Sequence, residues 1–226
     1  MESELKFAYQ DGYSQFDIMD APIISDNLLP IGNMSYAMRS SYYDTSDNLL
    51  WSHQAVLRMR RSNDRYYLTL KLPLHRPLNE DRGFFERQEY EFELTGDDCK
   101  WDKKQGISSA WFLSRLRERA GQADQDLRQL LQLLEGRPLQ EVCLADFTRT
   151  TYAYEYRTSR FELCFDDGYL GVAEHVEQFS EIEFELLSGH KDDLLALYIS
   201  LIKQLPIVPQ KLSKYGRAIA IANRYR

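Results

Sequence analysis

The amino-acid sequence predicts an α+β protein in which a closed antiparallel β-barrel carries helices on its outer surface. First, several predicted strands place charged side chains on one face and apolar side chains on the other, because successive residues of a strand point to opposite faces. Second, residues 108–135 and 191–204 have apolar side chains at helical spacing and can cover the apolar strand faces. One of the two alternating sets faces the lumen of a closed barrel. The charged set is therefore predicted to line a polar tunnel.

Composition restricts the class of protein. The chain has 226 residues, of which 43% are hydrophobic, and this is enough to bury a sizeable core. The formal charge of −7 and the pI of about 5.2 argue against a broad basic surface for nucleic acid. Cys99, Cys143 and Cys164 lie far apart and form no CxxC motif, which favours a reducing compartment. We expect a cytoplasmic protein, monomer or homodimer, that contacts neither nucleic acid nor a membrane, since no apolar run approaches the roughly 20 residues of a span.

The first stretch of the chain carries a candidate metal site. In an extended strand over Glu2–Phe7, the side chains of Glu2, Glu4 and Lys6 share one face. Two carboxylates on one face can hold a hard divalent cation through their oxygens. The lysine can then reach an anion that the cation also contacts. The alternative is an ordinary solvent-exposed strand face.

Local patterns predict the following elements up to residue 94. Short helical turns are expected in 12–33, followed by strands at 34–45, 54–61, 65–72 and 86–94. Ser62-Asn63-Asp64 is predicted to be a three-residue hairpin loop, and 73–84 a loop that contains prolines and charges.

The second half of the chain is predicted to begin with helices and to continue with strands. Two helices within 108–135, interrupted at Gly121, are expected to end at Gly136. Strands follow at 139–146, 148–158, 160–166 and 170–187, then a helix at 191–204 and a possible last strand at 217–222. No composition break divides the chain, so we expect a single domain over 1–226 with a helical insertion at about 108–136.

Charged strand faces recur with both signs along the chain. The basic members are Lys6, Arg58, Arg60, Lys71, Arg87, Arg149 and Lys214. The acidic members are Glu2, Glu4, Glu89, Glu91, Glu162, Asp166, Glu181, Glu183 and Glu185. Gathered in one lumen, the cations suit a polyphosphate, and the carboxylates suit Mg²⁺ or Mn²⁺ bridging to phosphate oxygens. The alternative is a half-solvated sheet with surface ion pairs worth about 0–1 kcal/mol each.

These residues resemble the CYTH superfamily, the triphosphate tunnel metalloenzymes. The motifs, in family order, are ExExK at 2–6, YYDT at 42–45, LRxR at 57–60, LTxK at 68–71, RxExE at 87–91, ExE at 181–183 and SK at 213–214. Ordered matches cover most of the chain. The resemblance implies an eight-stranded antiparallel β-tunnel that binds a triphosphate-containing small molecule and a divalent metal, most like bacterial inorganic triphosphatases.

The resemblance also implies roles for individual residues. Glu2, Glu4, Glu181 and Glu183 match acidic positions that hold the metal, and the seven basic residues match or accompany phosphate-binding positions, with Arg149 standing where the family has a phosphate-binding arginine. Several relatives have an acid where this chain has Cys164, which leaves Glu162 or Asp166 as the substitute ligand. The tail offers both Lys211 and Lys214 for the last basic position.

The function implied is hydrolysis of a triphosphate, in particular inorganic tripolyphosphate, to pyrophosphate and phosphate. Glu4 and Lys6 are the candidate catalytic residues, and Lys6 is a candidate base if neighbouring cations lower its pKa. The alternatives are a class IV adenylyl cyclase, a nucleoside or thiamine triphosphatase, and a noncatalytic polyphosphate-binding module. The near-complete acidic set argues against the last alternative, because binding alone needs mainly the cations.

The sequence gives no sign of a pocket for an organic group attached to the phosphates. Tyr152, Tyr154 and Tyr156 lie on the strand face opposite Arg149 and are expected to pack outside the barrel against a helix. Inorganic triphosphate is therefore predicted to be a much better substrate than ATP.

Overall fold

The computed structural model describes residues 2–74, 83–95, 109–119 and 125–225. Its strands are β1 (Glu2–Tyr9), β2 (Leu28–Asp44), β3 (Val56–Ser62), β4 (Arg65–Pro73), β5 (Phe84–Leu94), β6 (Gln140–Tyr156), β7 (Ser159–Val172), β8 (His175–Ser188) and β9 (Ile207–Pro209). Its helices are α1 (Gln15–Met19), α2 (Pro22–Ser25), α3 (Leu49–Ser52), α4 (Ser109–Arg119), α5 (Gln125–Leu133), α6 (Lys191–Gln204) and α7 (Lys214–Arg224).

Eight strands close into an antiparallel barrel, which confirms the predicted fold class. The strand order is β5-β4-β3-β2-β6-β7-β8-β1, and the pairing of β1 with β5 closes the ring. Residues Glu2–Leu5 of β1 pair with β5, and Phe7–Tyr9 continue along the same edge with the short β9. Closure gives each of these eight strands a partner on both sides, so the charged sets converge from all directions on one lumen.

The apolar strand faces point outward and are covered by helices, as the sequence predicts. The Leu194, Leu197 and Leu201 side chains of α6 pack on the outer faces of β1, β7 and β8. Helices α4 and α5 cover the outer faces of β3 and β4 through leucines that include Leu113, Leu116, Leu127 and Leu130. Tyr154 and Tyr156 also point outward, and their hydroxyls bond the Ile23 carbonyl of α2 and the Ser200 hydroxyl of α6.

The C-terminal segment differs from the prediction, because 217–222 is part of helix α7 and not a strand. The alternating Ala and Ile residues are typical of a strand, but they also place Ala218, Ile219, Ile221 and Ala222 on one side of a helix. This side packs against lumen-facing residues of β6, β7 and β8 and fills one end of the barrel. Ser213 caps the helix, its side chain accepting a hydrogen bond from the Gly216 N–H at 3.1 Å.

Several element boundaries also differ from the sequence prediction. The two strands expected at 139–158 form one continuous strand, β6, because β2 and β7 pair with it along its length. Strand β2 begins six residues earlier than predicted. The hairpin loop contains two residues, because Ser62 pairs with Arg65, and Asn63 in this loop has a left-handed backbone with a φ of 51°.

The predicted ends of two helical segments are confirmed. Helix α6 has the predicted bounds, and Gly136 ends the segment that contains α4 and α5, with a φ of 73°. Helix α3 was not predicted. Gly121 and most of the predicted loop at 73–84 lie outside the described residues. None of the helices in the described part of the chain is both long and apolar enough to cross a membrane.

Candidate active site

The barrel lumen contains a charged cavity of about 390 Å³. The charged side chains that line it are Glu2, Glu4, Lys6, Arg58, Arg60, Lys71, Arg87, Glu89, Glu91, Arg149, Glu183, Glu185 and Lys214. All seven basic residues proposed from the sequence are among them. Their partners are far away in the sequence, and strand pairing brings them together.

Cross-strand pairing explains which charges meet. Across β1 and β8, Lys6 lies opposite Glu183 and Glu4 lies opposite Glu185. Across β4 and β5, Lys71 lies opposite Glu89. Directly opposed side chains of a sheet have Cβ atoms about 4.5–5.5 Å apart, so these pairings fix the contacts.

The deepest part of the site is a group of ion pairs that we call the inner cluster, made of Asp166, Glu181, Glu183, Arg149, Lys214 and Arg217. Lys214 Nζ lies 2.7 Å from Asp166 Oδ2, 2.5 Å from Glu181 Oε1 and 2.8 Å from Glu183 Oε1. Arg149 grips Asp166 with two hydrogen bonds of 2.7 and 2.6 Å and also contacts Glu183. Arg217 contacts Glu181. Three buried carboxylates are thus balanced by three cations within the cluster.

The electrostatics of the inner cluster favour its ionised form. Burial opposes ionisation of Glu183, but Lys214, Lys6 and Arg149 hold the pKa of its carboxyl well below the usual value. Arg149 and Lys214 likewise lower the pKa of Asp166 against the effect of burial. Glu181 differs, because burial dominates there and raises its pKa.

Lys6 connects the inner cluster to the rest of the lumen. Its Nζ lies 2.9 Å from Glu4 Oε2 and also contacts Glu183. Burial alone would lower the pKa of Lys6, but the Glu183 and Glu4 carboxylates raise it well above the ordinary value. A role for Lys6 as a base requires a lowered pKa, so the raised pKa argues against that role.

A second group of acids, the acidic patch, consists of Glu2, Glu4 and Glu185. Burial raises the pKa of Glu4 to about 7, and Glu2 and Glu183 add to this effect. Burial and the nearby Glu2 raise the pKa of Glu185 to about 7 as well. Glu2 is held by Lys71, whose Nζ lies 2.5 Å from its Oε2, and its pKa falls to about 2 although burial opposes ionisation. The patch therefore carries carboxyl groups whose negative charge is incompletely offset.

Strand β3 supplies a pair of crowded guanidinium groups. Arg60 lies 3.1 Å from Glu91, while Arg58 lies 3.5 Å from Glu91 and 3.7 Å from Glu89. Burial and the adjacent Arg58 lower the pKa of Arg60 to about 10. Within the described residues, the buried Nε atoms of both arginines lack a hydrogen-bond partner. Such donors and such crowding of positive charge favour an anion in the lumen.

Four residues singled out from the sequence do not line the cavity. Asp166 and Glu181 lie behind it in the inner cluster, fully buried. Glu162 lies on the same face of β7 as Asp166, and its carboxylate accepts a hydrogen bond of 3.4 Å from Cys164 Sγ. Between the two tail lysines, the structure places Lys214 at the lumen, whereas Lys211 is exposed.

Sequence reasoning missed several lining residues and one cation of the inner cluster. Ser40, Tyr42, Val56, Phe85, Phe147, Ser213 and Tyr215 also line the cavity. Arg217 was missed because its segment was interpreted as a strand. Its spacing of three residues from Lys214 is the signal of a helical face that could have revealed it.

The acid groups present suit a divalent cation by their chemistry. Carboxylate oxygens are the ligands that Mg²⁺ and Mn²⁺ prefer, and Glu4 and Glu185 supply them side by side. Carboxylate oxygens of Asp166, Glu181 and Glu183 also lie within 4.8 Å of one another, but the Lys214 ammonium bridges all three. The acidic patch is therefore the better fit, because a cation there would offset uncompensated charge.

Comparison with known proteins identifies the family. The model of the CYTH domain matches residues 1–213, so the chain belongs to the CYTH family. The inorganic triphosphatase of Haemophilus influenzae is 27% identical over 187 residues, which are 82% of this chain and 46% of that protein. The chain thus spans about half the length of this curated relative.

Solved structures share the fold. A putative adenylyl cyclase from Hippeastrum, described as having a dominant triphosphatase activity, superposes with a TM-score of 0.57 at 17% identity and covers 100% of this chain and 97% of that chain. A putative adenylate cyclase from Bacillus halodurans gives a TM-score of 0.50 at 20% identity over 90% of this chain and 88% of that chain. At these identities the likeness establishes the fold alone.

Proposed function

We propose that the chain hydrolyses inorganic triphosphate to pyrophosphate and phosphate with the help of Mg²⁺ or Mn²⁺. The observation that carries this proposal is the convergence of seven basic side chains and the acidic patch on one cavity of about 390 Å³. A polyphosphate needs several cations around it, and the acids give the same cavity a place for metal. The inorganic triphosphatase relative supports this choice of substrate.

The basic residues have distinct proposed roles. Arg58, Arg60 and Lys71 on β3 and β4 bind phosphoryl oxygens, and Arg87 on β5 contacts one end of the chain of phosphates. Guanidinium groups suit this role, because their planar donors match phosphate oxygens. Lys6 and Arg149, both ionised beside Glu183, neutralise charge that develops on the phosphates during cleavage.

Two carboxylates of the inner cluster, Asp166 and Glu181, position these groups and do not react themselves. Asp166 and Glu181 are fully buried and hold Arg149, Lys214 and Arg217 in place. A charged side chain whose partners are fixed loses little freedom when it meets the substrate. We therefore propose that Lys214 contacts phosphate from a position set by the three carboxylates.

Glu2, Glu4, Glu183 and Glu185 are the proposed metal ligands. A divalent ion held there would polarise a phosphoryl group and lower the pKa of a water molecule. Of the four, Glu4 and Glu185 gain most from a cation, because burial and neighbouring acids raise their pKa to about 7. We do not propose Glu162, Asp166 or Glu181, the other candidate ligands, because none of them lines the cavity, whereas Glu183 does.

The decisive experiment is product analysis after incubation with tripolyphosphate or ATP, with added Mg²⁺, with added Mn²⁺ and in excess chelator. We expect pyrophosphate and phosphate from tripolyphosphate in the presence of metal and no turnover in chelator. Cyclic AMP as the product from ATP would replace this proposal with an adenylyl cyclase. Tight binding of tripolyphosphate without any product would indicate a noncatalytic binding module.

A further inference from the structure

Two phenylalanines interrupt the charged faces of the tunnel strands, and the proposed chemistry gives them no role. On β6, Phe147 lies two residues before Arg149 and shares its face. On β8, Phe179 lies two residues before Glu181 and shares its face in the same way. Both side chains are buried, and their rings meet edge to face with centroids 5.8 Å apart. We call these two residues the aromatic pair.

All three cations of the inner cluster contact the aromatic pair. Lys214 Nζ lies 5.3 Å from the centroid of the Phe147 ring and 5.6 Å from that of the Phe179 ring. Arg149 Cζ lies 5.9 Å from the Phe147 centroid. Arg217 Cζ lies 5.1 Å from the Phe179 centroid. A cation within about 6 Å of a ring centroid is attracted by the negative face of the ring, so each cation is held both by carboxylates and by a ring.

The two kinds of partner hold Lys214 at different depths. Phe147 lines the cavity, whereas Asp166 and Glu181 lie behind it. The carboxylates therefore hold the ammonium from behind the cavity, and the Phe147 ring contacts it at the cavity wall.

Arg217 shows how a ring can take the place of a hydrogen-bond acceptor. Within the described residues, its buried Nε has no hydrogen-bond partner. The guanidinium group lies over the Phe179 ring instead. The face of this ring thus offsets part of the burial of the positive charge.

A ring and a carboxylate differ in what they do to the charge of the cation. A carboxylate neutralises it, whereas an aromatic ring has no net charge and attracts the cation through its quadrupole. The three carboxylates of the inner cluster already balance its three cations. A further acid at position 147 would compete with phosphate for Lys214 and Arg149, but a phenylalanine holds both cations without such competition.

We propose that Phe147 and Phe179 are positioning residues for triphosphate binding, because they hold the three cations of the inner cluster beside the cavity without neutralising them. This inference rests on the proposed function of the tunnel. The aromatic pair belongs to the same apolar cluster as Ala218 and Ile219 of α7. Apolar surroundings lower the local dielectric and strengthen the attraction between the cations and a phosphate.

Titration calorimetry with tripolyphosphate in chelator tests this role. Phe147→Leu keeps an apolar side chain but removes the ring face, and the affinity should fall by about five- to thirtyfold, the range that corresponds to a buried cation–π contact. Phe147→Tyr keeps the ring and should stay within about twofold of the wild type. Phe179→Leu should weaken the affinity as well, although Phe179 does not line the cavity and makes no contact with the substrate.

Phe165→Leu is the matched control. Phe165 on β7 is also a buried aromatic residue, but it lies in the apolar cluster outside the barrel, where its ring meets that of Tyr152 at 5.9 Å. Its substitution should lower the unfolding free energy in chemical denaturation and leave the affinity for tripolyphosphate unchanged. The control therefore separates the loss of ring contacts to cations from weaker packing alone.

Three results would overturn the inference: an affinity of Phe147→Leu equal to that of the wild type, an equal loss in Phe147→Leu and Phe147→Tyr, or an equal loss in Phe165→Leu. If Phe147→Leu does not fold, an unchanged affinity of Phe179→Leu overturns the inference and a reduced one supports it. Failure of the wild-type chain to bind tripolyphosphate would instead reject the proposed function of the tunnel, and this inference with it.

Discussion

Glu4 and Glu185 lie directly opposite each other where β1 pairs with β8, and both carboxyls line the tunnel. Like charges in directly opposed positions destabilise a sheet. Here burial and neighbouring acids raise the pKa of each carboxyl to about 7. Under the proposed function, a divalent cation held by this pair would offset the repulsion between the two carboxylates.

The Glu4→Gln substitution tests the metal role. We expect the variant to fold in chelator, because the glutamine removes a repulsive charge as well as the contact with Lys6. The stabilisation by added Mn²⁺ should be lost, and turnover should fall by more than the roughly 10–100-fold that follows loss of a group supporting a metal ligand. Thermal unfolding and activity with and without Mn²⁺ measure both effects.

Glu93→Gln is the matched control for this substitution. Glu93 lies on β5 two residues after Glu91, but it is exposed and pairs with Arg65 at 3.8 Å outside the cavity. Its substitution should leave both metal-dependent stabilisation and turnover intact. Retention of both properties in Glu4→Gln would refute the acidic patch as a metal site.

The Arg58→Ala substitution tests phosphate binding by β3. A hydrogen bond to a charged group contributes about 1.5–3 kcal/mol, so the affinity for tripolyphosphate should fall by roughly ten- to hundredfold. Calorimetry in chelator measures this directly. Arg65→Ala, which removes a guanidinium from the exposed end of β4, should bind like the wild type. Equal affinities of Arg58→Ala and the wild type for tripolyphosphate would contradict the proposed role of Arg58 in phosphate binding.

Lys214 and Lys211 should differ sharply in their effect on stability. Lys214→Met leaves Asp166, Glu181 and Glu183 without the ammonium that bridges them. Removing one partner of a buried ion pair costs about 3–5 kcal/mol, and chemical denaturation should report a loss of this size. Lys211→Met, on the exposed side of the same segment, should stay within about 0.5 kcal/mol of the wild type. Similar losses in both variants would contradict the inner cluster as described.

A buried carboxylate outside the tunnel should make stability dependent on acid pH. Asp193 in α6 accepts hydrogen bonds from the hydroxyls of Ser159 at 2.7 Å and Thr158 at 3.1 Å. The Ser159 bond is the main reason that the pKa of Asp193 lies below its ordinary value. Because the folded pKa is below the unfolded one, the stabilisation is complete above the unfolded pKa and is lost as pH falls through the folded pKa.

Asp193→Asn should therefore lower the Tm by a few degrees at pH 7, and the difference from the wild type should narrow as pH falls below about 4. Asp192→Asn changes the exposed neighbour in the same helical turn and is the matched control. A gap between Asp193→Asn and the wild type that stays constant down to pH 3 would rule out the titration of Asp193 as its cause.

Much of the tunnel could be predicted from local patterns. The two-residue period of Glu2-Ser3-Glu4-Leu5-Lys6 and of Leu57-Arg58-Met59-Arg60 separates lumen from outer surface whatever the neighbouring strands are. Six of the seven basic lining residues lie on strands and could be selected in the same way, whereas Lys214 lies in α7 and was selected through the resemblance to the SK motif. Alternation reports only the face of a strand, however, and carries no information on which strand lies next to it.

The sequence by itself determined the faces of the strands, the signs of their charges and the bounds of α6. Only the tertiary structure decided the partners, such as Lys6 with Glu183, which are 177 residues apart in the chain. It also decided that 217–222 is helical. The segment has both two-residue and helical periodicity, so tertiary packing selects its secondary structure, and here it packs at the end of the barrel as a helix.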